Sequence, residues 1–226
     1  MHIEAGVVLG TKMILSYATA VGVVGMTAKL ALENIKENGA LALSLKSLLA
    51  TIAVFIFFQV FPHFAVGISE VHLILGTTIF LVFGVAPALI GLALGLLLQG
   101  LFFAPFDLPQ YGINITTLMA SMLILNIAVS KIIPKGVAYK DITYTQMLKM
   151  SVVWQSAIIS WVAFWAFYGQ GFGAENLTAV SSFAGAYILV VLIEPLIDLA
   201  ILSAVKSYHS NKCNLFFDKK LTNCNA

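Results

Sequence analysis

The run PALIGLALGLLLQGLFF, at positions 87–103, contains no charged residue and continues directly from a turn that begins at Gly84. A helix needs about 20 predominantly apolar residues to cross a bilayer, with a lower limit of about 17. The run therefore predicts a membrane-spanning helix. It also holds Gly91 and Gly95, and small residues at this spacing let two helices approach closely. We expect this helix to pack tightly against a neighbour.

The rest of the chain has a similar composition. Of its 226 residues, 60% are hydrophobic and 10% are charged, whereas soluble domains average about 45–50% apolar and about 25% charged residues. We therefore predict an all-α, polytopic membrane protein with about seven transmembrane helices, at 7–32, 40–61, 69–83, 87–103, 114–133, 150–168 and 179–205. No internal repeat divides the chain. We expect one transmembrane domain at 1–205 and a polar cytoplasmic tail at 206–226.

The lysines predict how the chain is oriented in the membrane. With the N-terminus outside and the C-terminus in the cytoplasm, only Lys12 falls near the outer face. The other lysines fall in the inner segments: Lys29, Lys36, Lys46, Lys131, Lys135, Lys140, Lys149, Lys206, Lys212, Lys219 and Lys220. Cytoplasmic loops carry such an excess of positive residues. No basic patch in the sequence indicates binding to nucleic acid.

The first residues, Met1-His2, carry a chemical signal of their own. The Met1 amine, the His2 backbone nitrogen and the His2 Nδ1 can close two fused rings on one metal ion. Nitrogen donors in a plane suit Ni²⁺ or Cu²⁺, and one position stays open for a fourth donor. The N-terminus lacks the basic region of a cleaved signal peptide, so we expect Met1 to persist in the mature protein.

His72 is the leading candidate for that fourth donor, because we place it about one turn into the third helix, near the outer face. His63, beside Pro62, is the competitor, although it is more simply a solvated loop residue. Glu4 and Glu70 could attract a cation or accept the second imidazole N–H. The structural alternatives are a His72 bonded to a loop carbonyl and a Glu70 that caps a helix.

Two further acids, Glu194 and Asp198, lie four residues apart and share one face of the last helix. They could carry ions, or they could bond to other helices inside the bundle, which we favour. Trp154, Trp161 and Trp165 are interpreted as lipid or interface anchors. Cys213 and Cys224 in the tail match no zinc-binding pattern. The sequence has no enzymatic signature and no nucleotide-binding loop, so we expect a protein that is not an enzyme.

Several of these motifs together resemble the CbiM/NikM family, the substrate-binding components of energy-coupling factor transporters for cobalt and nickel. The matching features cover about residues 1–205 and are Met1-His2-Ile3 with Gly6, His72 upstream of Phe83-Gly84, Gln99, Tyr111-Gly112-Ile113-Asn114 and Glu194. The resemblance implies that Met1, His2 and His72 hold Ni²⁺ or Co²⁺ as the transported substrate. Other residues near that site are candidates for supporting or gating roles: Glu4, Ser69, Glu70 and Asn114.

The same resemblance implies the partners and the location. A membrane scaffold (the T component) and two cytoplasmic ATPase subunits would supply the energy, and a small accessory membrane subunit often accompanies this family. The lipid bilayer would be the cytoplasmic membrane of a prokaryote. Ala18 and Gly22 in the first helix are a plausible docking face for the scaffold.

The sequence departs from the family pattern in the loops that would cover the metal. Glu4-Ala5 stand where the family usually has Pro-Asp, one residue more separates Ser69 from His72, and the outer loop at 106–110 reads Phe-Asp-Leu-Pro-Gln.

Two other classes of function also use such ligands. One is an unaided secondary carrier or channel in which Glu194 and Asp198 carry ions. The other is an integral-membrane metalloenzyme, which needs an open coordination position.

The predicted orientation can be checked by labelling single cysteines in intact cells. In a background with Cys213→Ala and Cys224→Ala, a cysteine at Lys140 should resist an impermeant thiol reagent, because its loop faces the cytoplasm. A cysteine at Glu175 should react. The reverse pattern would rule out the N-outside orientation.

Overall fold

A computed structural model describes residues 3–208 and 215–222. Its elements, in chain order, are α1 (Met13–Asn38), α2 (Ala40–Phe55), β1 (His63–Val66), β2 (Ser69–His72), α3 (Gly76–Phe83), α4 (Val85–Phe102), α5 (Tyr111–Ile132), α6 (Tyr144–Gln170), α7 (Ala174–Tyr208) and α8 (Lys219–Thr222). Short turns of helix precede α1, α5 and α6, and the end of α2 widens into one π-helical turn at Ile56–Val60.

The fold is a helical membrane bundle, as the sequence predicted. Within the described residues, six helices are long and apolar enough to span a bilayer: Gly10–Asn38, Ala40–Val60, Val85–Phe102, Pro105–Ile132, Tyr144–Gln170 and Ala174–Ala204. The predicted third span is the element that differs, because α3 has only 8 residues. At 1.5 Å per residue α3 is about 12 Å long, too short to cross a hydrocarbon core of about 30 Å.

A β-hairpin takes the place of the start of that predicted helix. β1 and β2 pair antiparallel, with Val66 opposite Ser69 and His63 opposite His72. The Gly67-Ile68 turn suits a two-residue hairpin, because Gly67 has a φ of +64°. A short apolar run cannot be assigned to helix or strand from its periodicity alone, which is why the sequence prediction was wrong at 69–75.

The bundle has two ends, which the structure distinguishes clearly. We call one the hairpin face: it holds the β-hairpin, residues 3–12 and the turn at Pro105–Gln110. The Gln110 Nε2 joins that turn to residues 3–12 by donating to the Val8 carbonyl at 3.3 Å, and the Lys12 Nζ joins residues 3–12 to α6 by donating to the Gly169 carbonyl at 2.9 Å. At the opposite face, residues 215–222 return to the bundle and the Asp218 N–H donates to the Val82 carbonyl at 2.7 Å.

Two of the three tryptophans of α6 are not lipid anchors, contrary to the sequence interpretation. Trp154 and Trp165 are fully buried, and Trp161 is only partly exposed. Trp154 is buried because its ring packs directly against the backbone of Gly76, where an added Cβ would lie 2.4 Å from the ring. The indole therefore occupies the space that a side chain at the start of α3 would need. The α7 helix continues through Pro195 without interruption.

The predicted close approach of α4 to a neighbouring helix is confirmed, and that helix is α2. Gly22 of α1, by contrast, faces open space. A Cβ at Gly91 would lie 2.6 Å from the Ala50 Cβ, and one at Gly95 would lie 2.5 Å from the Val54 Cγ1. A Cβ at Gly22 would meet no other residue within 4 Å. Gly91 and Gly22 thus form a matched pair of helical glycines, one in a packed interface and one on an open surface.

We expect Gly91→Ala to destabilise the bundle and Gly22→Ala to leave it unchanged or slightly more stable. The added methyl at position 91 must push α2 and α4 apart, and overpacking typically costs about 1–3 kcal/mol. Thermal unfolding of the detergent-purified variants, followed by size-exclusion chromatography, measures the difference. Equal midpoints for the two variants would contradict the packing described for α4.

Candidate metal centre

His72 is the buried centre of the polar cluster at the hairpin face. It is 1% exposed and lies at the end of β2, not in a helix as predicted. Its Nε2 lies 3.0 Å from the Glu70 Oε2. The Phe58 ring packs at a tilt against its imidazole, with 4.9 Å between the ring centroids. β2 brings Glu70 to the imidazole because residues i and i+2 of a strand point to the same face.

The contact with Glu70 decides how His72 can act. A carboxylate that accepts one ring N–H fixes the tautomer and the orientation of a metal-binding histidine, and raises its basicity. With the proton on Nε2, the lone pair is on Nδ1, which is then the nitrogen that can bind a metal ion. Glu70 therefore lies where the sequence analysis placed a supporting carboxylate, and in a strand rather than at a helix cap.

His63 lies beside His72 rather than in a separate solvated loop. The two rings are stacked, with centroids 5.0 Å apart and an interplanar angle of 16°. His63 is exposed, and its Nδ1 lies 3.2 Å from the Phe61 carbonyl oxygen. The sequence could not show this pairing, because it depends on the hairpin register that places His63 opposite His72.

The N-terminal segment is fixed against the same hairpin. Ile3 is 1% exposed and forms an isolated β-bridge with Ser69. Its N–H donates to the Asn114 Oδ1 at 3.1 Å, and the Glu4 N–H donates to the Ile68 carbonyl at 3.4 Å. Met1 and His2 lie outside the described residues. Ser69 and Asn114, two of the predicted supporting residues, thus hold the chain immediately after His2.

Three carboxylates lie together at this end of the bundle. Asp107 is buried in the turn before α5 and lies within electrostatic range of Glu70 and Glu4. Glu4 is exposed, and the Glu70 side chain is 25% exposed. Such a group of negative charges attracts cations toward the hairpin face. The sequence analysis placed Asp107 in a loop that departs from the family pattern but did not count it as a site residue.

Glu194 and Asp198 lie deeper in the bundle and belong to a separate cluster. Both are fully buried. The Ser151 hydroxyl and the Gln155 Nε2 donate to the Glu194 Oε2 at 3.0 Å and 2.6 Å, and the Thr78 hydroxyl donates to the Asp198 Oδ1. These bonds join α7 to α6 and α3, as favoured from the sequence. They also account for the position of α3, since the backbone amides of Gly76 and Thr78 face the two carboxylates.

Cys213 and Cys224 lie outside the described residues. Within residues 3–208 and 215–222, no group of three or more His, Cys, Asp and Glu side chains has a metal-binding arrangement. Among the described residues, the hairpin face thus contributes one buried imidazole that a carboxylate orients.

Two solved structures share this architecture. One, described as "Crystal Structure of an Truncated Transition metal Transporter", has a TM-score of 0.65 and 17% sequence identity, and the match covers 93% of this chain and all of that chain (100%). The other, "Crystal Structure of an transition metal transporter", has a TM-score of 0.62 and 18% identity, with 92% of this chain and 93% of that one covered. At this level of identity the two structures establish a common fold. No curated protein sequence matches the chain significantly.

The sequence itself matches a family of metal-uptake proteins over most of its length. The family is described as "CbiM: Cobalt uptake substrate-specific transmembrane region", and the match extends over residues 2–211. This is a family of multi-pass membrane proteins, in agreement with the six spans of the bundle. By this match, the chain belongs to the CbiM family of cobalt-uptake transmembrane proteins.

Proposed function

We propose that this protein captures Ni²⁺ or Co²⁺ at the hairpin face and is the substrate-binding subunit of an ATP-driven importer of the energy-coupling factor type. The observation that supports it best is the buried His72, oriented by Glu70 and placed on the hairpin against which residue 3 is fixed. A single imidazole does not hold a metal ion. It is the position of this imidazole beside the start of the chain that supports the proposal.

The length of the chain limits where Met1 and His2 can be. Consecutive Cα atoms are about 3.8 Å apart, so the Met1 Cα lies within about 8 Å of the Ile3 Cα. Ile3 pairs with Ser69, which precedes His72 by three residues, or about 10 Å along a strand. The Met1 amine and the His2 side chain can therefore reach the His72 imidazole without any rearrangement of the described residues.

The proposed donors give a site with a definite chemistry. The amine, the deprotonated His2 amide and the His2 Nδ1 supply three nitrogens, and the His72 Nδ1 supplies the fourth. The loss of the amide proton neutralises part of the metal charge, and Glu4, Glu70 and Asp107 lie close enough to offset the remainder. Four nitrogens in a plane suit Ni²⁺, and Co²⁺ also accepts imidazole ligands.

A scaffold and ATPase subunits are proposed because the described chain shows no nucleotide-binding motif of its own. The scaffold would dock on α1, whose outward surface carries Ala18 and Gly22 and exposes large apolar residues such as Val21, at 73%. The lysine distribution supports a hairpin face outside the cell and lysine-rich loops in the cytoplasm. The protein would then reside in the inner membrane of a prokaryote.

An unaided carrier is the second candidate, because Glu194 and Asp198 place two carboxylates inside the bundle. Uptake measurements separate the two. In cells that express the protein with a scaffold and ATPases, radioactive cobalt or nickel uptake should stop on ATP depletion. Uptake by the protein alone that stops when the proton gradient collapses, and survives ATP depletion, would favour the carrier.

We expect His72→Ala to lower nickel affinity far more than His63→Ala. Loss of a ligand should cost more than the 10–100-fold typical of outer-sphere changes, and Glu70→Gln should fall within about that range. Loss of the exposed His63 ring removes only a stacking contact of about 0.5–1.5 kcal/mol, so affinity should change by no more than about tenfold. Isothermal titration of the purified variants with Ni²⁺ measures all three, and equal losses for the two histidines would mean that His63 is itself a ligand.

The terminal amine provides an independent test of the same site. A peptide fused before Met1 converts its amine into an amide, so metal uptake should be lost, while the same peptide after Ala226 should be harmless. An Ala inserted between Met1 and His2 keeps the amine but enlarges the chelate, and should also impair uptake. At equal expression, full uptake by the protein with the N-terminal peptide still attached would contradict the proposed chelate.

A further inference from the structure

The buried cluster around Glu194 and Asp198 has more oxygen acceptors than the described chain has donors for. Ser151 and Gln155 both donate to the Glu194 Oε2, and Thr78 donates to the Asp198 Oδ1. Among the described residues, neither the Glu194 Oε1 nor the Asp198 Oδ2 has a hydrogen-bond partner. One oxygen of each carboxylate is therefore bonded to the protein, while the other is not.

Two neutral oxygens in the same cluster are likewise buried without a hydrogen bond of normal length among the described residues. Gln155 is fully buried, and because its Nε2 donates to Glu194 at 2.6 Å, its Oε1 is held within the cluster. Thr77 is also fully buried and faces Asp198. Within the described part of the chain, the Gln155 Oε1 and the Thr77 Oγ1 form no hydrogen bond of 3.5 Å or shorter, although the Thr77 hydroxyl is near enough to interact with the Asp198 carboxylate. Buried polar atoms are almost always bonded, so each such oxygen indicates a missing partner.

The charge of the cluster indicates what that partner is. No Lys or His side chain of the described residues forms an ion pair with Glu194 or Asp198. A charge inside the membrane is costly unless it is compensated, and such residues commonly mark ion pathways. One divalent cation balances two carboxylates. Glu194 and Asp198 lie one helical turn apart, with about 5–6 Å between Cβ atoms, so one ion at about 2.0–2.6 Å from each ligand can bind both.

We propose that Glu194, Asp198, Gln155 and Thr77 form a second cation site, inside the bundle, that binds a divalent ion through oxygen atoms alone. Three helices build it: α7 supplies the carboxylates, α6 supplies Gln155 and α3 supplies Thr77. Carboxylate and carbonyl oxygens select Mg²⁺, Ca²⁺ and Mn²⁺, in contrast to the nitrogen donors proposed at the hairpin face.

Tyr187 lies between this site and the hairpin face. It is fully buried on α7, near the His72 backbone on one side and Glu194 on the other. If the proposed capture of metal at His72 holds, the oxygen site would be the next position of the ion on its way through the bundle, and its weaker ligands would favour release. The existence of the site does not depend on that role, because the ligands at the two sites are different residues.

The test uses Mn²⁺ alone as the probe, on the full-length protein purified in detergent after removal of metals. Electron paramagnetic resonance should show one Mn²⁺ bound per chain, without the electron spin-echo modulation that imidazole nitrogen produces. The isosteric variants Glu194→Gln and Asp198→Asn should each lower Mn²⁺ affinity by at least about tenfold, since an anionic ligand is lost. Thr77→Val, which removes one neutral oxygen at constant shape, should lower it by less.

Two controls separate this site from other binding. Glu175→Gln removes an exposed carboxylate from the first turn of the same helix and should leave Mn²⁺ affinity unchanged. His72→Ala should abolish tight Ni²⁺ binding while Mn²⁺ binding persists. Absence of bound Mn²⁺ in the native protein, or equal affinity in the native and doubly substituted proteins, would overturn the oxygen site. Normal ATP-dependent uptake by Glu194→Gln, despite its loss of Mn²⁺ binding, would instead count only against the proposed position of the site on the path.

Discussion

The pairing of β1 with β2 is the interaction on which the two polar clusters depend. Backbone that enters the depth of a membrane without helical bonds must find its partners within the protein, and this hairpin does so by bonding strand to strand. Gly67 lets the turn press against α7, where a Cβ would lie 2.1 Å from the Ala179 carbonyl oxygen. Because the hairpin occupies the first part of the third segment, α3 begins deep in the bundle, opposite Glu194 and Asp198.

The β-hairpin therefore produces two chemically different environments. At the hairpin face, β2 presents His72 with a carboxylate partner beside the anchored residue 3. Further inside, the change from extended chain to helix occurs at Leu75, whose left-handed backbone (φ 51°) costs about 1–3 kcal/mol. The start of α3 then brings Thr77 and Thr78 to the acids of α7. The buried imidazole and the buried carboxylates are thus separated along the bundle.

The sequence was sufficient for the architecture but not for the arrangement of the polar residues. Apolar length predicted the six spanning helices, with a seventh at 69–83 that the structure does not have as a span. The spacing of Gly91 and Gly95 predicted a close helix contact, because spacing, like apolar length, is a local property. The stacking of His63 on His72 and the place of Asp107 depend on a hairpin register and on contacts between distant segments. The burial of Trp154 against Gly76 also depends on contacts between distant segments. Composition alone does not distinguish a tryptophan that faces lipid from one that is buried in protein. Orientation in the membrane remains a prediction from the lysines.

In the proposed function, metal capture occurs at the hairpin face through nitrogen donors from the start of the chain and from His72. X-ray absorption spectroscopy of the purified protein loaded with one equivalent of Ni²⁺ tests this most directly. We expect a planar site of nitrogen ligands only, with the multiple-scattering signature of two imidazoles, one of which is lost in His72→Ala. A six-coordinate spectrum dominated by oxygen, unchanged by His72→Ala, would contradict it.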